Sequence, residues 1–150
     1  MIEVIQILPQ TLTSNTDDIN FSTVDVRTRS ANCCGWLQYM PGGSLFTIIG
    51  GGRFKVTFNG NVSSETAGAL AIALKSNGTD IEGTESDTVI AAVGDYQNVS
   101  FTKILEICPR VNTTFSVGSL AAIGGVTPIV ETEIPIIKDG QIIVERLSGN

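Results

Sequence analysis

The chain has 150 residues, 42% of them apolar and only 16% charged, with a net charge of −6; an average soluble domain carries about 25% charged residues. A chain of this length builds one domain and buries roughly 68–70% of its unfolded surface. No apolar run approaches the roughly 18 residues of a membrane helix, and the 9 Lys and Arg are scattered singly, so neither a membrane nor a phosphate backbone is expected as a partner. The apolar excess is expected in a core or in subunit interfaces.

The opening Met1-Ile2-Glu3-Val4 lacks the basic stretch and long apolar run of a secretory signal, which predicts folding in a cytoplasm. Residues 1–30, rich in Thr, Ser, Asn and Asp, read as an extended attachment arm ahead of a domain at 31–150. Val4, Ile5, Ile7 and Leu8, just before Pro9, are its candidate anchoring residues: a strand that pairs with a neighbour, docks on a partner or, equally well, edges the domain itself. Cys33, Cys34 and Cys108 cannot all pair within one chain and read as reduced thiols. Cys33-Cys34 stand beside the only tryptophan, Trp36, without a Lys, Arg or His to stabilise a thiolate, so a packed junction is expected there.

From Cys33 onward turn signals recur: Pro41-Gly42-Gly43, Gly50-Gly51-Gly52, Asn59-Gly60-Asn61, Asn77-Gly78, Gly83, Gly94-Asp95, Gly118, Gly124-Gly125 and Asp139-Gly140. Strand-length segments lie between them. Arg53–Asn59 is the clearest, with Phe54, Val56 and Phe58 on one face and Lys55 and Thr57 on the other. Leu45–Ile49, Thr88–Val93, Gln97–Ile107, Thr113–Val117 and Gln141–Leu147 read the same way. Ala67–Lys75 has the alanines of a helix, but Leu70, Ile72 and Leu74 alternate with small residues and Asn77-Gly78 follows, which predicts a strand entering a hairpin. Short strands, frequent turns and no long helix predict an antiparallel sandwich or barrel.

Chemistry-bearing motifs are few. With no histidine in the chain, Ser-His-Asp and Cys-His sets are excluded, and no paired carboxylates sit in a predicted cleft, so no catalytic residue, metal ligand or cofactor is expected. Glu82, Glu85 and Asp87 lack the spacing of a calcium loop and read as a solvated hairpin tip. The glycine runs are not followed by the Lys and Ser or Thr of a phosphate loop. Five Asn-x-Ser/Thr triplets, at Asn20, Asn61, Asn77, Asn98 and Asn112, record an Asn- and Thr-rich β surface.

The order Phe46-Thr47-Ile48, a glycine turn, Gly52-Arg53-Phe54-Lys55-Val56-Thr57-Phe58, an apolar strand with Asn77-Gly78, Gly94-Asp95-Tyr96-Gln97-Asn98-Val99 and a closing Ile143-Val144-Glu145-Arg146-Leu147 resembles the TNF-like jelly roll of spore-surface collagen-like protein tips and of phage head-fibre and capsid-decorating proteins. The resemblance covers roughly residues 44–147. It implies an all-β antiparallel jelly-roll sandwich that assembles as a homotrimer, with some of Phe54, Phe58, Tyr96, Phe101 and Phe115 facing the threefold axis and the others filling each barrel. No Gly-x-y stalk precedes the domain, which favours a phage virion structural protein. The expected reading is a trimeric capsid decoration or head fibre on the virion surface, assembled in the host cytoplasm and held by the 1–30 arm to the major capsid protein or another virion protein. A host-surface glycan is a candidate ligand. The alternative is a cellular binding module, lectin-like or cytokine-like, and an enzyme on a β scaffold is the least favoured.

Overall fold

The computed structural model describes residues 1–12, 17–27, 35–120 and 134–148; Cys33, Cys34 and Gly124-Gly125 lie outside the described residues. Among these every regular element is a strand: β1 (Ile2–Ile5), β2 (Gln10–Thr11), β3 (Thr23–Arg27), β4 (Leu37–Tyr39), β5 (Phe46–Ile48), β6 (Gly52–Ser63), β7 (Gly68–Ser76), β8 (Thr79–Asp80), β9 (Ser86–Ile90), β10 (Gln97–Ile107), β11 (Thr113–Ser119) and β12 (Ile136–Ser148). They form two antiparallel sheets. The first has the order β10-β6-β12-β1-β3, with β2 beside β12, and the second has the order β4-β5-β11-β7-β8, with β9 also along β7. The alternating apolar residues of both sheets turn inward and merge into one buried cluster, including Val4, Phe54, Val56, Phe58, Ile142 and Val144 from the first and Phe46, Ile48, Ile72, Leu74, Phe115 and Val117 from the second.

The long strands follow from the alternation, and the hairpin at Asn77-Gly78 forms as expected. Lys75 pairs with Asp80 and Ser76 with Thr79, and the two central residues have φ of 49° and 81°, the left-handed pair that a two-residue hairpin turn requires. Three other turn signals are overridden. Asn59-Gly60-Asn61 lies inside the 12-residue strand β6: Gly60 continues the inward row Phe54-Val56-Phe58, where a Cβ would come within 2.9 Å of the Phe58 ring. Asp139-Gly140 is a bulge in β12, where the register against β6 shifts between Lys138 and Gln141. Gly118 lies within β11, and a methyl there would overlap the Asp17 carbonyl oxygen. The strand expected over Thr88–Val93 stops at Ile90, because its partner β7 begins at Gly68, opposite Ile90.

The segment expected to be an arm is, over its described residues, part of the sandwich. β1 lies between β12 and β3, Val4 is fully buried, and Leu12, Ile19 and Phe21 are core residues. Beyond β1 the chain passes to the second sheet, where Ile19 N donates to Val117 O at 2.7 Å and Asp18 bridges Gly118. Lys75, its side chain 3% exposed, closes over this junction with Nζ 3.1 Å from Asp18 Oδ1.

Aromatic rings link the two sheets. Tyr39, Phe46 and Phe115 sit at paired positions on β4, β5 and β11 and stack at centroid separations of 4.4 and 5.1 Å. Phe58 and Phe101 are paired across β6 and β10 and stack at 5.4 Å. Phe21 meets both ladders edge-on, 5.9 Å from Phe46 and 6.5 Å from Phe58. Its backbone is held by Phe21 N donating to Gly43 O and Gly42 N donating to Phe21 O, and the Tyr39 hydroxyl also donates to Phe21 O. Replacing Phe21 by alanine removes the ring joining the ladders, and urea unfolding should show a loss of about 3–5 kcal/mol; a loss under about 1 kcal/mol would mean the sheets pack without it.

Burial raises the Tyr39 phenol pKa above 10.0, partly opposed by a backbone hydrogen bond at Gly42. A raised folded-state value favours the neutral phenol in the native protein, so its contribution is complete below the unfolded value and disappears as pH climbs through the folded one. Stability is expected to fall above pH 10.0, and thermal melts of Tyr39→Phe against the parent should show a shallower alkaline decline in the variant. Parallel declines would assign the alkaline loss to other groups.

Candidate subunit-packing face

The inward alternation of the first sheet fixes what its other face carries. Along β6 the outward residues are Arg53, Lys55, Thr57, Asn59 and Asn61, and along β10 they are Asn98, Ser100, Thr102, Ile104 and Glu106. The register sets them in rows: Thr102 opposite Thr57 opposite Ile143, and Ser100 opposite Asn59 opposite Gln141. Glu3 and Ile5 of β1 extend these rows past Ile143 and Gln141.

Most polar groups on this face are paired within it. The Thr57 and Thr102 hydroxyl oxygens lie 3.2 Å apart. Asn98 Nδ2 donates to Asn59 Oδ1 at 2.9 Å and to Asn61 Oδ1 at 3.3 Å, and Asn61 Nδ2 donates to Asp139 Oδ2 at 3.4 Å. Gln141 Nε2 donates to Glu3 Oε1, and Lys55 Nζ lies 3.1 Å from Glu145 Oε2. With Ile104 exposed among them, the face mixes short polar side chains, several hydrogen-bonded to one another, with the Lys55–Glu145 ion pair and the exposed Arg53 and Glu106. Its short side chains lose little entropy when another surface covers them. β10 also forms the open edge of the sheet, with β6 as its pairing partner, so the face ends in unpaired backbone groups able to extend the contact.

The residues singled out from sequence fall in different places. Phe54, Phe58, Phe101 and Phe115 are buried inside the sandwich, so these four fill the barrel. Their positions alternate with the polar residues that do face outward. Tyr96 is 43% exposed at the top of β10, with Lys138 Nζ 5.5 Å from its ring centroid. Val4 points into the core, Ile5 lies half-buried on the outward face, and Ile7 and Leu8 are 60% and 73% exposed beyond the strand. Thr57, Thr102, Asn59, Asn98, Ile104 and Ile143 were not singled out. The signal for them was the polar half of the alternation already visible in Arg53–Asn59.

Among the described residues no group of three or more His, Cys, Asp and Glu is placed to hold a metal ion, and no helix is long and apolar enough to cross a membrane. Cys108 is an exposed free thiol.

No family model matches the chain, and no curated protein matches it. Solved structures do. The globular domain of zebrafish complement 1qA protein aligns over 99% of this chain and 98% of its own at 14% identity, with a TM-score of 0.63. Eiger TNF from S. frugiperda aligns over 99% and 94% at 9% identity and a TM-score of 0.57, and murine APRIL at pH 5.0 over 94% and 95% at 6% and 0.55. At these identities the likeness shows the fold and nothing finer: the chain adopts a TNF-like, C1q-like jelly roll.

Proposed function

We propose that the protein is a non-enzymatic structural module that assembles as a homotrimer through the outward face of its β10-β6-β12 sheet and stands on the surface of a phage virion. The observation that carries the trimer is that face: rows of mostly polar side chains, several already hydrogen-bonded to one another, bounded by an open edge strand. TNF-like and C1q-like jelly rolls are typically trimeric, which supports a second copy as its occupant. Four of the five aromatic candidates, Phe54, Phe58, Phe101 and Phe115, fill each protomer's core, so on this reading the contact is mainly polar, with Ile104 and Ile143 as its apolar points.

Light scattering at micromolar concentration is expected to give three times the chain mass. Thr57→Arg combined with Thr102→Arg sets two long like charges at paired positions of the face and should yield a monomer with the parent's circular dichroism. A monomeric parent, or a double variant that remains trimeric, overturns the assignment of the face.

The virion reading rests on the sequence resemblance and on the lack of catalytic residue sets in the chain. On this reading attachment uses the exposed Ile7-Leu8 step beyond β1, where the fold leaves the N-terminal segment accessible. Capsid, portal or tail genes are expected beside the gene for this chain; a neighbourhood holding none of these overturns the reading. The second reading, a cellular binding module, is favoured by the fold shared with a complement component and TNF-type proteins. It has the trimer in common with the first, and trimers that label intact cells in place of particles would select it.

A further inference from the structure

The chain contains two Asn-Gly steps, Asn59-Gly60 and Asn77-Gly78, and the fold treats them in opposite ways. Glycine after asparagine leaves the peptide nitrogen unhindered for attack on the side-chain amide, provided the backbone can rotate to bring the two together. Asn59-Gly60 is locked in the middle of β6, between β10 and β12: Asn59 is paired with Ser100 and with Gln141, and Gly60 is buried against the Phe58 ring. Rotation there would require opening the first sheet at its centre, at a cost near that of global unfolding.

Asn77-Gly78 forms the tip of a hairpin whose second strand, β8, has 2 residues. Both tip residues are exposed, and nothing lies within 4 Å of the place a Gly78 Cβ would occupy. Opening this tip breaks the terminal pairs of β7 with β8 and the Asn77 N–Thr114 O bond at the end of β11, a local event of lower cost than opening a sheet at its centre. The side chain is also positioned chemically. Asn77 Oδ1 accepts from Thr114 Oγ1 at 2.7 Å and from Thr114 N at 3.4 Å, two donors that draw electron density from the amide carbon and stabilise an oxyanion formed on it.

We propose that Asn77 is a site of spontaneous, fold-selected covalent modification: succinimide formation with Gly78, while Asn59 is protected. The Gly78 backbone nitrogen loses its proton and attacks Asn77 Cγ; the new N–C bond forms, the Cγ–Nδ2 bond breaks, and ammonia leaves with a proton from solvent. Water then opens the ring at either carbonyl, giving aspartate or isoaspartate. No oxidant or reductant is involved. Aspartate keeps the oxygen that accepts from Thr114, whereas isoaspartate lengthens the backbone by one carbon, and the two-residue turn no longer holds Ser76 opposite Thr79. Either product adds a negative charge at one end of the β7–β11 seam, where Asn77 N donates to Thr114 O at 3.1 Å.

The test is peptide mass mapping of the full protein incubated at mildly alkaline pH, folded and in concentrated urea. In the folded sample the Asn77 peptide should gain the mass of an amide-to-acid exchange while the Asn59 peptide stays unchanged, and in urea both should gain it. Asn77→Ser should abolish the acidic species that accumulates in the folded sample. Equal modification of both peptides in the folded protein, or none at Asn77 there, overturns the proposal.

Discussion

The two sheets share one buried apolar core, and within it one ring meets the aromatic ladders of both. Phe21 belongs to neither cross-strand ladder, yet it touches Phe46 in one and Phe58 in the other. Because aromatic pairs favour edge-to-face contact, it fixes an angle between the ladders as well as a distance. Several other features serve to keep that ring in place: the Gly42 and Gly43 backbone bonds, the Tyr39 hydroxyl and the Asp18–Lys75 pair upstream. The segment that reads as the least structured part of the sequence therefore supplies the joint between the sheets.

Legibility in the sequence followed the reach of the signal. Period-two alternation is local, and it located β6, β7, β10 and β11 and, within Arg53–Asn59, separated inward from outward residues. The Asn77-Gly78 turn was legible for the same reason. Gly60, Gly118 and Gly140 were misread as turns because each answers to a residue far along the chain: Gly60 and Gly140 lie where β6 and β12 run side by side, and Gly118 admits Asp17 and Asp18. In these strands the absent side chain makes room for a neighbour, and nothing nearby in sequence announces that neighbour. The places of β1, β2 and residues 18–19 were not legible for the same reason, since their partners in β12 and β11 lie over ninety positions away.

The apolar excess is also accounted for. Low charge and high apolar content leave a core or subunit interfaces as its place, and β7 and β11 are buried on both faces over most of their length, with the phenylalanines completing the interior. What remains outward on the first sheet is mainly threonine, asparagine, serine and charged residues. A sequence search for a sticky interface looks for bulk apolar residues; this face is distinguished by polar side chains, several already hydrogen-bonded to one another. The candidate site was therefore present in the sequence as the polar half of a pattern read mainly for its apolar half.

The placement of β12 has a consequence for how the chain comes to exist. It lies between β6 and β1, so β1, whose other neighbour is β3, joins the rest of the sheet only once β12 is in place. Contacts of such wide sequence separation fold slowly, because a long loop must close before any of them forms. During synthesis Ile2 and Val4 lack their partners Val144 and Ile142 until β12 emerges. A chain cut short before β12 lacks the strand that joins β1 and β3 to β6 and β10.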